Sequence, residues 1–304
     1  YHSSPTNLSQ GNGGSDGISD LSYQFCNCIK LQTVHSKLMK RNTYAADMEV
    51  GNTAYSRSIK YAFYNCQSLQ AIPATLVKDC SISSMDYAFY GCSSLTSIPT
   101  GLFGQAESTY IGGSNSTLKG LFQNCTSLTS IPADLFSDLY IGNANLSFNS
   151  CFKGCTSLTA IPETLLSSMS NVSASSVDLS NLFEGCTSLT SIPTKFFLIP
   201  AGISRVDYCF NGCTGISNFK LKFTARNISN FASFISDASN VERILCVPSG
   251  STTYTNATSF ANASNGVTVI GDGISCTDAT WEFTIDTEAT TEIEIGRASC
   301  RERV

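Results

Sequence analysis

Apolar residues return along this chain in a fixed order around a cysteine that follows a phenylalanine by three positions. The cysteines are Cys28, Cys66, Cys92, Cys125, Cys155, Cys186 and Cys213; the phenylalanines are Phe25, Phe63, Phe89, Phe122, Phe152, Phe183 and Phe210. Successive cysteines lie 38, 26, 33, 30, 31 and 27 residues apart. A period of this length, varying through insertions, is the mark of a solenoid, in which each copy alone buries too little and stacking makes one continuous core.

Ahead of each cysteine, apolar residues stand seven, four and three positions back, as Met85, Ala88 and Phe89 do before Cys92. This i, i+3, i+4, i+7 stripe predicts a helical segment about two turns long, too short to persist without packing. Behind the cysteine come Leu or Ile at +3, usually Ile at +6, and Pro at +7, as in Leu95, Ile98 and Pro99. The stretch SLTSI is short, β-branched and bounded by Pro, which predicts one strand per copy in a parallel array. Leu and Ile three apart cannot share one face of a straight strand, so the chain is expected to bend there. A second apolar pair follows at +10 and +11, such as Leu102 and Phe103.

The expected fold is therefore an α/β repeat solenoid: a curved slab of about seven coils, each with one short parallel strand and one short helical segment. Coils spaced like neighbouring strands would make it roughly 30–35 Å long. Residues 1–20 read as a linker or part of a preceding coil, and 21–240 as the solenoid. In 273–294 the alternation of Trp281, Phe283 and Ile285 suggests the start of a separate β domain.

The residues carrying this pattern, DYAFYGCSSLTSIP at 86–99 and its relatives, resemble the BspA-type leucine-rich repeats of bacterial surface proteins. The segment ILCVPSGSTTYTNATSFANASNGVTVIGD, 244–272, is similar to the end-cap of such arrays, so the resemblance implies that 241–272 is a C-terminal cap closing the solenoid. His35 and Lys220 depart from the pattern in the Pro slot, and Phe219 in the Ile slot, in copies at the two ends where atypical repeats are expected. The resemblance implies a secreted or cell-surface location in bacteria and a recognition or adhesion role toward a host or neighbouring-cell protein or glycan.

Composition narrows the classes further. Net charge is -5 with no cluster of Lys or Arg, which argues against nucleic acid or anionic lipid as the main partner. The longest strongly apolar run, around Phe196 to Ile203, contains Pro200 and is far too short to span a bilayer. Residues 295–304, IGRASCRERV, resemble the conceptual translation of a sequencing adapter, the other reading being a native basic tail. As a non-native tail they drop out of the fold argument.

Little suggests catalysis. The seven aligned cysteines form one column, filled either by buried thiols or by disulfides between neighbours. Only two His exist, His2 and His35, so neither a zinc site nor a Ser/His/Asp triad has its partners, and no GxSxG occurs. GNGG at 11–14 and GDG at 271–273 read as turns rather than phosphate cradles. No enzyme, metal or cofactor is expected. For a ligand, the strand surface is small and polar, whereas the insertions carry Tyr44, Tyr55, Tyr110 and Tyr140, residues that suit a binding hot spot. Tyr110 and Tyr140 each precede their cysteine by 15 residues, so the plainer reading is an aromatic ladder packed on a second short strand. The leading expectation is a non-catalytic binding module; the alternative is a structural spacer, or a virion or surface-layer array, displaying another domain.

Overall fold

The computed structural model describes residues 21–36, 38, 57–77, 81–103, 109–111, 115–137, 139–141, 145–166, 176–198, 202–223, 228–235, 243–247, 250–263 and 267–271. The expected linker, the β domain at 273–294 and the tail at 295–304 lie outside these residues. The described chain is α/β: short parallel strands with one helix. The strands are β1 (Arg57–Ser58), β2 (Ser81–Ser84), β3 (Thr109–Ile111), β4 (Asn115–Thr117), β5 (Leu139–Ile141), β6 (Asn145–Ser147), β7 (Val177–Asp178), β8 (Ile203–Arg205), β9 (Phe219–Lys222) and β10 (Arg243–Val247). Helix α1 (Thr252–Ala263) and β11 (Val267–Gly271) follow. They form three sheets, in the orders β1-β2-β3-β5, β4-β6-β7-β8 and β11-β10-β9, with every pairing parallel. No described helix is long and apolar enough to cross a membrane.

The segment ahead of each cysteine corrects the helical expectation. No helix forms there among the described residues; the chain runs through overlapping turns instead. In the second copy Ala62 N–H donates to Ile59 O, Tyr64 to Tyr61 O and Cys66 to Phe63 O, at 3.0–3.2 Å. The amides between them leave the copy: Ile59 donates to Ser84 O, Tyr61 to Asp86 O, Phe63 to Ala88 O and Asn65 to Tyr90 O, at 2.6–3.0 Å. A helix would keep all these donors to itself. The turns require left-handed backbone at two places, five residues and one residue before the cysteine. Tyr61 (φ 56°) and Asn65 (φ 58°) hold them here, and Gly120 (φ 59°) and Asn124 (φ 60°) two copies later. A left-handed residue at the third position of a turn breaks a helix and gives a three-residue step. That step aims the residues at seven, four and three back into the core, mimicking a helical stripe.

The segment behind the cysteine is corrected as well. SLTSI is extended, yet its only ladder contact among the described residues is a single bridge, Ser97 to Ser130. Leu95 and Ile98 are buried while Thr96 and Ser97 between them are exposed, a spacing of three that a pleated strand cannot provide. Pro at +7 also removes an amide donor. The strands fall elsewhere: β1, β2, β4, β6, β7 and β8 each end directly before a run of turns. In the seventh copy Lys220 replaces Pro, and there β9 forms, paired with β10 over Phe219–Lys222. His35 also replaces Pro and makes no strand, so a retained amide needs a neighbouring strand such as β10 to use it.

Equivalent side chains lie against one another from copy to copy. Phe25, Phe63, Phe89, Phe122, Phe152, Phe183 and Phe210 stack face to face with centroids 5.2–5.7 Å apart and planes within 11°. Each aligned thiol from Cys66 onward donates to the carbonyl of the previous copy's Phe, as Cys125 Sγ does to Phe89 O at 3.2 Å. From Phe63 and Cys66 onward both columns belong to one buried core, while Phe25 packs against it partly buried and Cys28 is exposed.

The turn run occurs once more than the sequence count of seven. Val206, Tyr208 and Phe210 donate to the carbonyls of Asn230, Ala232 and Phe234, and Ser233 (φ 48°) takes the left-handed place. Phe231, Phe234 and Ile235 fill the buried positions. A search keyed on cysteine passes over this copy because Ala238 stands where the cysteine would be. After it, β10, α1 and β11 make a β-α-β unit. Buried Thr253 accepts the Ile228 amide at 3.0 Å, and Asn256 donates to Ile228 O at 2.9 Å, tying α1 to the eighth run of turns.

Candidate binding surface

The left-handed place five before the cysteine points its side chain away from the core, and in three consecutive copies it holds tyrosine. The rings of Tyr23, Tyr61 and Tyr87 stack at 4.8 and 5.1 Å with planes within 15°. Two residues before the cysteine stand Tyr64 and Tyr90, stacked at 4.5 Å and 5°. The two rows touch edge to face, Tyr61 with Tyr64 at 5.5 Å and Tyr87 with Tyr90 at 6.1 Å. Tyr23 is 57% exposed and the other four are half-buried. Because the rings cover one another's faces, this surface offers mainly ring edges and hydroxyls.

Amides fix the stack. Asn124 Nδ2 donates to the Tyr90 hydroxyl at 2.9 Å, Asn65 Nδ2 to Asn27 Oδ1 at 2.9 Å, and Gln67 Nε2 to Asn65 Oδ1 at 3.0 Å. Lys60 Nζ sits 5.5 Å from the centre of the Tyr61 ring. Asp86, in the position equivalent to Lys60, accepts from the Thr117 hydroxyl and from the Lys119 amide. The stack ends on Gly120: a Cβ there would run into the Tyr87 ring, so glycine is needed both for that approach and for the left-handed backbone. Partial burial raises the Tyr61 and Tyr64 phenols above their ordinary value, which keeps both hydroxyls protonated and able to donate.

Beyond Gly120 the same face is mainly polar, with one unstacked exception: Tyr208 holds the equivalent place in the seventh copy at φ 56° and is 39% exposed. Asn149 Nδ2 donates to Ser180 Oγ at 2.6 Å, Lys153 pairs with Glu184 at 2.7 Å, and Arg205 bonds both oxygens of buried Asp207 at 3.0 and 2.8 Å. These charges are already matched within the chain.

The aligned cysteines are free thiols in all seven copies, which decides between the two states left open by the sequence. From Cys66 onward they are buried, and burial lifts Cys66, Cys155 and Cys213 to about 12. A thiol so raised stays protonated near neutrality and is a poor nucleophile. Cys246, in contrast, is disulfide-bonded, its partner lying outside the described residues. Among the described residues no group of three or more His, Cys, Asp or Glu side chains is placed to hold a metal ion.

Of the sequence-derived ligand candidates, Tyr110 and Tyr140 are direct Cα partners in β3 and β5. Their side chains, and Tyr44 and Tyr55 altogether, lie outside the described residues. The five stacked tyrosines are visible in the alignment as recurring Tyr at five and two positions before the cysteine. They escape a reading that follows only the apolar core positions. No family model, curated protein or solved structure matches this chain.

Proposed function

We propose that the chain is a non-catalytic recognition or adhesion module of a secreted or cell-surface bacterial protein. In this reading it is a leucine-rich-repeat-like solenoid of the BspA type, closed by the β10-α1-β11 cap. It binds a protein or glycan of a host or neighbouring cell, and its contact surface is the tyrosine face rather than the inter-repeat insertions alone. The observation that carries the reading is the placement of Tyr23, Tyr61 and Tyr87 at φ of 63, 56 and 55°. Bulky residues are rarely held there; Gly120, Ser150 and Asn181 fill the same place in the next three copies and a lone Tyr208 (φ 56°) in the seventh, so what marks the first three copies is the unbroken row of tyrosines. Non-glycine strain of this kind gathers at functional sites, and exposed tyrosine is the residue of hot spots. The Cys246 disulfide fits an oxidising compartment.

A structural spacer is the second reading, favoured by the fact that the rings satisfy one another by stacking. The test compares the parent with a Tyr23→Ser, Tyr61→Ser, Tyr87→Asn variant, coated on beads and applied to epithelial cells and to an array of extracellular proteins and glycans. Recognition through this face requires binding by the parent and at least a tenfold loss in the variant, with both melting alike. A parent that binds nothing, or a variant that binds equally, supports the spacer.

A further inference from the structure

We propose that the tyrosine face docks, antiparallel, onto the same face of a second copy of this chain. This rests on the recognition reading and names its partner as the chain itself.

The chemistry of the surface is self-complementary. A phenol hydroxyl donates and accepts, and so do the amides of Asn27, Asn65 and Gln67 beside the rings, so like can bind like. The ring faces are closed by stacking at 4.5–5.1 Å, which leaves little open face for a flat sugar and favours a counterpart that also offers edges and hydroxyls. Tyr, Asn, Gly and Ser are the residues that protein-binding paratopes use, rigid aromatic area among adaptable polar groups.

Charge sets the orientation. Lys60 and Asp86 occupy equivalent positions in the second and third copies, each next to its stacked tyrosine, Tyr61 or Tyr87. A two-fold axis running across the stack between these copies sets Lys60 opposite Asp86 of the other molecule, twice. It also sets Tyr61 against Tyr87 and Tyr64 against Tyr90. A parallel arrangement would oppose Lys60 to Lys60 and Asp86 to Asp86. Lys119 holds the next equivalent position, beside Gly120 where the stack has ended, and beyond it charges are spent on internal pairs, Lys153 with Glu184 and Arg205 with Asp207. Of the opposite-charge neighbours only Lys60 and Asp86 both stand beside stacked tyrosines.

Size sets the strength. One exposed and four part-buried tyrosines offer at most about 400 Å² per molecule, which puts the contact in the weak, transient class. For such a contact we take a dissociation constant on the order of 10–100 µM, weak in solution and made effective by many copies on opposed surfaces.

The experiment is sedimentation equilibrium of the full chain across concentrations bracketing that range. The parent should dimerise, and Lys60→Asp and Asp86→Lys should each weaken self-association by about tenfold. Their equimolar mixture should recover parental affinity. In a mixed pair the carboxylate introduced in one variant faces the ammonium introduced in the other, and the native Asp86 of the first faces the native Lys60 of the second. Since Asp86 also holds Thr117 and the Lys119 amide, melting of Asp86→Lys is checked. Should it melt early, Lys60→Asp weakening the dimer more than Lys60→Ala supports the charge pairing, and equal effects overturn it. A parent that stays monomeric throughout, or a mixture no tighter than its components, overturns the proposal. A monomeric parent that still binds the cell or array surfaces overturns only this contact and leaves the recognition reading standing.

Discussion

Tyr61 and Asn181 stand at the same place in their copies, with φ of 56 and 58°, and the backbone around them makes the same hydrogen bonds. One is a bulky aromatic in a stacked row; the other is a small amide bonded to Glu184 at 2.6 Å. The difference separates two kinds of constraint. Inward positions are set by the core and barely vary, since Phe63 and Phe183 are both fully buried in the same column. The outward place is constrained only in φ, and Asn or Gly meets that demand with least strain. Tyrosine there in three successive copies is a choice the fold does not ask for.

The largest test of this division is core truncation in both halves. Phe89→Ala in the tyrosine half and Phe152→Ala in the polar half should each cost about 3–5 kcal/mol in denaturant unfolding. Unequal losses would show that the halves do not share one core.

Next in size is glycine replacement. Gly120→Ala meets both a left-handed backbone and the Tyr87 ring, and should cost about 2 kcal/mol while disturbing the stack. Gly185→Ala meets no atom closer than 3.9 Å and carries the conformational cost alone, about 1 kcal/mol. Thermal melting of the two, with tyrosine near-ultraviolet circular dichroism, checks the difference.

The thiol column should show itself in alkali. Free Cys66, Cys155 and Cys213 are raised to about 12 against an ordinary 9, so the unfolded chain loses these protons first. Their contribution is fully present below pH 9 and is lost as pH climbs toward 12. The melting temperature should therefore fall above pH 9, and less steeply in a Cys155→Ala, Cys213→Ala variant.

The smallest stability effect and the clearest functional one come from Tyr61→Asn. Asparagine suits the left-handed backbone, while two ring stackings worth about 0.5–1.5 kcal/mol each are lost. The net change should stay within about 1 kcal/mol in melting, with binding and self-association reduced.

The core positions were legible because they are written many times; parallel pairing was read correctly as a class but placed on SLTSI, whose bounding Pro does not mark a strand. Met85, Ala88 and Phe89 do point inward together. Periodicity misnamed the backbone between them, because overlapping turns of three residues and a helix of 3.6 bury nearly the same positions over so short a run. The clue lay in the unread position one before the cysteine, Asn or Gly in all seven copies, which only a left-handed residue explains. The eighth copy was hidden by Ala238 and by Ile235 in the phenylalanine slot, since a search keyed on Phe and Cys cannot see a copy that keeps only its apolar positions and backbone bonding.

By itself the sequence determined which residues face inward, how many copies a cysteine marks, and that the chain carries only two histidines. Those are properties of spacing and inventory. Only the tertiary structure decided where the amide donors go, and so that strands precede the turns rather than follow the cysteine. It also decided that Tyr23, Tyr61 and Tyr87, separated by 38 and 26 residues, meet as one surface. The reason is physical: a side chain's exposure and neighbours are fixed by the layer above and the layer below, and no stretch of chain contains its own neighbours.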